Sequence, residues 1–187
     1  MLMRITGGEA RGRTINFPSG SKERPTSDFL RETLFNLLGT VQEKSFLDIF
    51  AGSGSVGMEA LSRGAKQAFF IEKNKKIAAV LQKNANECGY ASRCSVMGLD
   101  VAAGLRRLSD AGTTFDIVFA DPPYNRGLVA QTIKLLRKNS VFHENSVIVI
   151  QHSIRENITS PEGEINIIRD QRRYGDNALT FLQMERS

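Results

Sequence analysis

From residue 46 onward the chain alternates short apolar runs with amphipathic stretches, and few folds accept that pattern. The runs 46–50, 68–71, 95–99, 115–120 and 147–150 are too short for helices and read as buried strands. Helical spacing fills the gaps, at 55–63, 75–88, 101–108 and 128–138, with Gly89 closing the second. Strict alternation of this kind predicts a parallel sheet with helices on both faces. The end of the chain departs from it. Residues 165–169 and 178–184 read as two strands joined by 170–177, an antiparallel hairpin that makes the sheet mixed. The expected class is α/β.

Residues 1–40 do not share the alternation. Segments 2–6 and 13–17 read as two short strands, with Gly7, Gly8 and Gly12 between them. A helix follows Pro25-Thr26-Ser27: Leu30, Leu34, Leu37 and Leu38 fall on one face, and Gly39 ends it. We therefore divide the chain into a hairpin-and-helix extension, 1–40, packed on a core domain, 41–187. At 187 residues one hydrophobic core suffices. No apolar run approaches the roughly 20 residues that span a bilayer, and the N-terminus lacks a signal-peptide pattern, so the cytoplasm is the expected location. Cys88, Cys94, His143 and His152 show no metal-ligand spacing and read as structural. The net charge of +5 is uneven. Arg4, Arg11, Arg13, Lys22, Arg24 and Arg31 face only Glu9, Glu23 and Asp28 in the first 31 residues, which leaves +3 there. That excess suits a polyanionic partner, although charge alone favours the plainer reading of a solvated basic face.

The most informative local motif joins the first sheet strand to its helix: Asp48-Ile-Phe-Ala-Gly52-Ser-Gly54-Ser-Val-Gly57. Its glycines permit a tight turn and close approach of a ligand. Glu72 closes the next strand, twenty residues beyond Gly52, where a carboxylate can accept both ribose hydroxyls of an adenosine-containing cofactor. Two cofactor classes share this pattern, and Asp48 helps to separate them. A carboxylate is awkward beside the pyrophosphate of a nicotinamide dinucleotide, but it suits S-adenosylmethionine, which carries an ammonium, a sulfonium and no phosphate. Asp100, after the third strand, is placed to accept from the adenine amine. The plainer alternative makes Asp48 and Asp100 helix caps.

The run 115–120 ends in Asp121-Pro122-Pro123-Tyr124, at the strand end where open α/β sheets place their sites. An exocyclic amine on a base is a poor nucleophile because its lone pair is delocalised into the ring. Two acceptors aimed at its two hydrogens favour the pyramidal form that can attack. The Asp121 carboxylate and the Pro122 carbonyl supply that pair, and consecutive prolines hold them rigidly. Tyr124 offers an aromatic face to an unstacked base, worth about 1–3 kcal/mol. Methyl transfer from a sulfonium needs proximity and charge placement, and no metal. Taken alone, the motif could be an ordinary turn.

With these residues in hand the chain resembles the RsmD family of bacterial guanine 2-amino methyltransferases. The likeness runs through Arg4-Ile-Thr-Gly-Gly8, Arg11-Gly-Arg13, Arg24-Pro-Thr26, Arg31-Glu-Thr-Leu-Phe-Asn36, the glycine turn, Glu59-Ala-Leu-Ser-Arg-Gly64, Asp121-Pro-Pro-Tyr124 and Tyr174-Gly-Asp176. The Gly-Gly, Arg-Gly-Arg and Arg-Pro-Thr segments select this family; the other motifs are shared with adenine enzymes. The resemblance implies a Rossmann-like, class I S-adenosylmethionine-dependent methyltransferase with a mixed seven-stranded sheet, monomeric and acting on 16S rRNA in the 30S subunit, with S-adenosylhomocysteine as product. It implies cofactor contacts at Asp48, Gly52, Gly54, Glu72 and Asp100, with Thr26 reaching the methionine end. Asp121, Pro122 and Tyr124 become the base-activating set, and Arg4, Arg11, Arg13 and Arg24 the rRNA contacts. Phe29 departs from the family pattern, in which many relatives carry a basic residue. Three alternatives follow from the residues: an adenine 6-amino methyltransferase on DNA or RNA, a nicotinamide-dependent oxidoreductase, and an RNA-binding module without catalysis.

Overall fold

The computed structural model describes residues 2–17, 26–156, 158 and 168–184. An antiparallel pair, β1 (Leu2–Arg4) and β2 (Thr14–Asn16), precedes helix α1 (Asp28–Leu38). Strands β3 (Ser45–Ile49), β4 (Gln67–Ile71), β5 (Cys94–Met97) and β6 (Phe115–Ala120) then alternate with helices. These are α2 (Ser55–Ser62), α3 (Lys75–Glu87), α4 (Val101–Asp110) and α5 (Leu128–Lys138). Strands β7 (Phe142–Ser153), β8 (Ile168–Tyr174) and β9 (Asn177–Leu182) complete a seven-stranded sheet in the order β5-β4-β3-β6-β7-β9-β8. The first five of these in spatial order are parallel, and β9 and β8 are antiparallel, so the sheet is mixed.

Period-two alternation along the central strands divides the core between two faces. Phe46, Ile117, Phe119 and Val149 join the cluster under α1, α2 and α3. Leu47, Ile49, Val118, Ile148 and Ile150 join the one under α4 and α5. The chain reverses its direction of travel across the sheet at β3, which pairs with β4 on one side and β6 on the other. A crevice at the carboxyl ends of those strands is where such sheets bind ligands.

The extension shares the first of these clusters through Met3, Ile5, Ile15, Leu34 and Phe35. Two buried charges fasten it. Glu59 of α2, fully buried, accepts from the Thr6 backbone N–H at 2.8 Å and the Thr6 hydroxyl at 2.9 Å. Arg31, also fully buried, donates to the carbonyl oxygens of Thr26 and Arg4 at 2.9 and 2.6 Å and pairs with Asp28 at 2.8 Å. Removing one member of such a cluster strands the rest, at a cost of about 3–5 kcal/mol. Arg31 therefore does not belong to a basic surface, as its place in the charge count suggested. Gly8 shows why the hairpin turn needs glycine: a Cβ there would lie 1.9 Å from the Ser62 carbonyl oxygen.

Several expected boundaries move. β7 is twelve residues long, where the apolar run showed four, because its outer part pairs with β6 through Phe115 and Phe142. The terminal hairpin differs more. β8 continues to Tyr174, which pairs with Asn177, so the turn is Gly175-Asp176 with Gly175 at φ +59°. The polar run 170–173 read as a loop because β8 is an edge strand, half exposed and without apolar alternation. The first part of the expected strand 165–169 lies outside the described residues.

Candidate active site

The glycine turn is built by backbone strain and one buried acid. Phe50, Gly52 and Gly54 all have positive φ, at +63°, +53° and +82°, which swings the chain sharply from β3 into α2. A Cβ on Gly52 would meet nothing within 4 Å, so this part of the turn faces open space. Asp48, buried near the end of β3, accepts from the Gly57 backbone N–H in the first turn of α2, at 3.0 Å. Glu72 follows β4 directly. Its two oxygens accept from the backbone N–H groups of Gly52 at 3.0 Å and Asn74 at 2.7 Å, locking the turn to the second strand.

Burial holds the Asp48 carboxyl well above the usual carboxylate range, and the charges of Asp121 and Glu72 raise it further against the Gly57 bond. Asp121 and Glu72 are thus both near enough to act on Asp48 through charge. A phosphate there would be repelled; a cation would be drawn in and would favour ionised Asp48. The residues present therefore fit a cofactor with a cationic amino acid end. They do not fit a pyrophosphate. Asp100 caps α4, accepting from the Ala103 N–H at 2.8 Å, and is exposed.

Asp121 sits just past β6, its backbone N–H bonded to the Ile49 carbonyl across the strand ends. One carboxylate oxygen, Oδ2, accepts from the Thr26 hydroxyl at 2.9 Å and the Gln151 Nε2 at 3.0 Å. Thr26, expected at the methionine end of the cofactor, thus bonds directly to the acid of the Asp-Pro-Pro-Tyr motif. Its neighbour Pro122 is buried. The side-chain amide of Gln151 also donates to the Tyr124 hydroxyl at 3.0 Å, which in turn donates to Asn177 Oδ1 at 2.8 Å. Gln151 is 3% exposed and uses both amide hydrogens here, so the carboxylate beside it fixes which way the amide points. Its Oε1 is buried with no hydrogen-bond partner among the described residues. The Tyr124 hydroxyl is anchored while the residue remains 36% exposed.

Sequence reasoning missed Gln151 and Asn177. They lie in strands whose apolar pattern is all that sequence shows, and only pairing of β7 with β6 and β9 brings them to Asp121 and Tyr124. Of the basic residues, Arg4, Arg11 and Arg13 are exposed, and Arg24 lies outside the described residues. The turn that carries Arg11 packs against Ser62, at the far end of α2 from the glycine turn, and Arg13 donates to the Glu87 carbonyl at the end of α3. His152 is structural. Its Nδ1–H donates to the Ser153 carbonyl and its Nε2 accepts from the Thr180 hydroxyl, each at 2.8 Å, and burial lowers its pKa. Burial likewise pushes the Cys94 thiol up to about 12.

The sheet order, the strained turn ringed by acids and the motif after β6 together define the fold of the class I S-adenosylmethionine-dependent methyltransferases. A solved structure of the Escherichia coli protein yhhF matches all of this chain and all of its own at a TM-score of 0.83 and 34% identity. An RNA methyltransferase from Salinibacter ruber, in complex with S-adenosyl-L-homocysteine, shares the fold at a TM-score of 0.65 and 14% identity over 87% of this chain and 95% of that one. Residues 3–183 match the family described as conserved hypothetical protein 95. The ribosomal RNA small subunit methyltransferase D of Escherichia coli is 36% identical over 169 residues, 90% of this chain and 83% of that protein. The chain belongs to this family, the RsmD family.

Proposed function

We propose that the protein transfers a methyl group from S-adenosylmethionine to the exocyclic 2-amino group of a guanine in 16S rRNA of the small ribosomal subunit. The observation that carries the reading is the Asp121 carboxylate, held by Thr26 and Gln151 beside the acid-ringed glycine turn. Similarity to a small-subunit rRNA methyltransferase over most of both chains supports the substrate.

When bound, the cofactor would supply an electrophilic methyl on its sulfonium. Asp48 and the turn at Gly52 and Gly54 would hold its amino acid end, Glu72 its ribose and Asp100 its adenine. Asp121 and the Pro122 carbonyl would accept hydrogen bonds from the two amine N–H groups and so localise the nitrogen lone pair, and the Asp121 carboxylate would take the one proton that the methylated amine sheds. Two hydrogen bonds on Oδ2 fix the carboxylate plane, which pre-orients the acceptor before substrate arrives. Tyr124, tethered by its hydroxyl, would present its ring to the extruded base. That stacking, about 1–3 kcal/mol, offsets part of the few kcal/mol that flipping costs. Arg4, Arg11, Arg13 and Arg24 would contact rRNA phosphates, those in the hairpin at a distance from the reacting base.

The test is incorporation of labelled methyl from S-adenosylmethionine into unmethylated small ribosomal subunits, followed by nucleoside analysis. Label is expected in 2-methylguanosine. Label in 6-methyladenosine would overturn the base assignment. Asp121→Ala should lower kcat by about 10²–10³-fold or more while S-adenosylhomocysteine binds within about twofold of wild type by calorimetry. Wild-type turnover in that variant would remove Asp121 from the mechanism.

A further inference from the structure

Phe29 is 64% exposed, the most exposed of the large apolar side chains among the described residues. Its ring meets Tyr174 edge-on, with centroids 6.1 Å apart and planes at 74°. An edge contact fixes both rings yet leaves a ring face uncovered. Neither residue is remote from the reacting groups. Phe29 stands three positions after Thr26, which bonds Asp121; Tyr174 pairs in register with Asn177, which holds the Tyr124 hydroxyl.

The surroundings carry both charges, since Asp28 and Glu32 are exposed beside Phe29 on α1. On β8 the exposed Arg172 shares the face of Tyr174 and pairs with Asp170 at 2.8 Å, whereas Arg173 lies on the opposite face with Ala178. Arg4 is exposed at the end of β1, whose carbonyl Arg31 ties to that of Thr26. A surface built to dock a protein core spreads several apolar side chains over a continuous patch. One aromatic pair with Arg172 and Arg4 at its margins offers what single-stranded nucleic acid uses, a π-face for a base with cations within reach of its backbone. Extruding a base also breaks the stack of its neighbour, which then lacks a partner.

We propose that Phe29 and Tyr174 form a stacking shelf for the nucleotide that flanks the methylated base. The inference rests on the RNA reading above and adds a second base contact, outside the catalytic set. It predicts a contribution that salt does not screen, unlike that of the arginines.

The test uses the intact protein and an RNA fragment around the base that the wild type methylates, with an abasic residue placed in turn on either side. Phe29→Ala should weaken binding to the unaltered fragment about 5- to 150-fold, leave the salt slope unchanged, and leave S-adenosylhomocysteine affinity at the wild-type value. Phe29→Trp should retain binding. On one abasic fragment, Phe29→Ala and wild type should bind alike, because the partner is already missing. Phe29→Lys should steepen the log–log salt slope by about 0.7, one phosphate. Equal binding of Phe29→Ala and wild type overturns the shelf, as do losses that simply add on both abasic fragments. Loss of methylation on assembled subunits with unchanged binding to free RNA also overturns it, in favour of a protein contact. If the wild type methylates no RNA, the RNA reading itself has failed, which is a separate result from a wild type that methylates and a shelf that does nothing.

Discussion

The two halves of the proposed site, one for the cofactor and one for the substrate, are assembled on different principles. In the cofactor half, each acid is satisfied by backbone no more than 20 positions away: Asp48 by Gly57, Glu72 by Asn74 and by Gly52 of the neighbouring βα unit, Asp100 by Ala103. In the substrate half, Asp121 is held by Thr26 from the extension and Gln151 from β7, and Tyr124 by Gln151 and Asn177. Those partners are 95, 30, 27 and 53 positions away in sequence. The first half is a property of neighbouring strand ends and the short segments that follow them. The second is a property of the assembled sheet and of the extension docking on it, so long-range packing controls it.

This difference explains what was legible in the sequence. The parallel strands, the glycine turn and the Asp-Pro-Pro-Tyr motif announce themselves by spacing, because their geometry is local. Edge strand β8 stayed hidden because its exposed side chains carry no apolar alternation. Gln151 stayed hidden because a lone polar residue after an apolar run has no meaning until the register is known. Arg31 was miscounted for the opposite reason: its charge suggested surface, and only the carbonyls of Thr26 and Arg4 explain its burial.

If the substrate half is held from a distance, cutting one long-range tie should damage turnover and spare the cofactor. Gln151→Met keeps the volume and removes both donors. We expect kcat to fall about 10- to 100-fold, on the scale of two lost hydrogen bonds, with the KM for S-adenosylmethionine within about twofold. Because Gln151 joins Asp121 to Tyr124, its loss and that of the Tyr124 hydroxyl should be non-additive in the Gln151→Met, Tyr124→Phe double variant. Strict additivity, or a change in cofactor KM as large as that in kcat, would mean that the two halves are not separable in this way.

The cofactor half should show the reverse. The pKa of folded Asp48 is raised, chiefly by burial, above its unfolded value of about 4. The native state therefore binds a proton more readily than the unfolded state, and the stability associated with this group falls as pH rises between the two values. Asp48→Asn should melt higher than wild type at neutral pH without ligand, by about 2–4 °C for each kcal/mol relieved. That advantage should shrink as pH falls toward 4. A cationic cofactor favours the ionised form, so wild-type affinity should rise with pH through the raised pKa, whereas Asp48→Asn should bind about tenfold more weakly with a flatter profile. Identical pH profiles by calorimetry would show that the acid serves the turn and not the ligand.

Asp100 is where the comparison is finest, because capping and ligand binding draw on the same carboxylate. Its bond to the Ala103 N–H is a complete N-cap, which serine can replace at little cost to the helix. The adenine contact needs a second acceptor reaching outward, and the shorter serine hydroxyl does not supply one. Asp100→Ser should thus leave the melting temperature within about 1 °C of wild type and weaken S-adenosylhomocysteine about fivefold, one modest hydrogen bond. An unchanged affinity would return Asp100 wholly to α4. The cofactor half would then be held by the β3 and β4 ends alone.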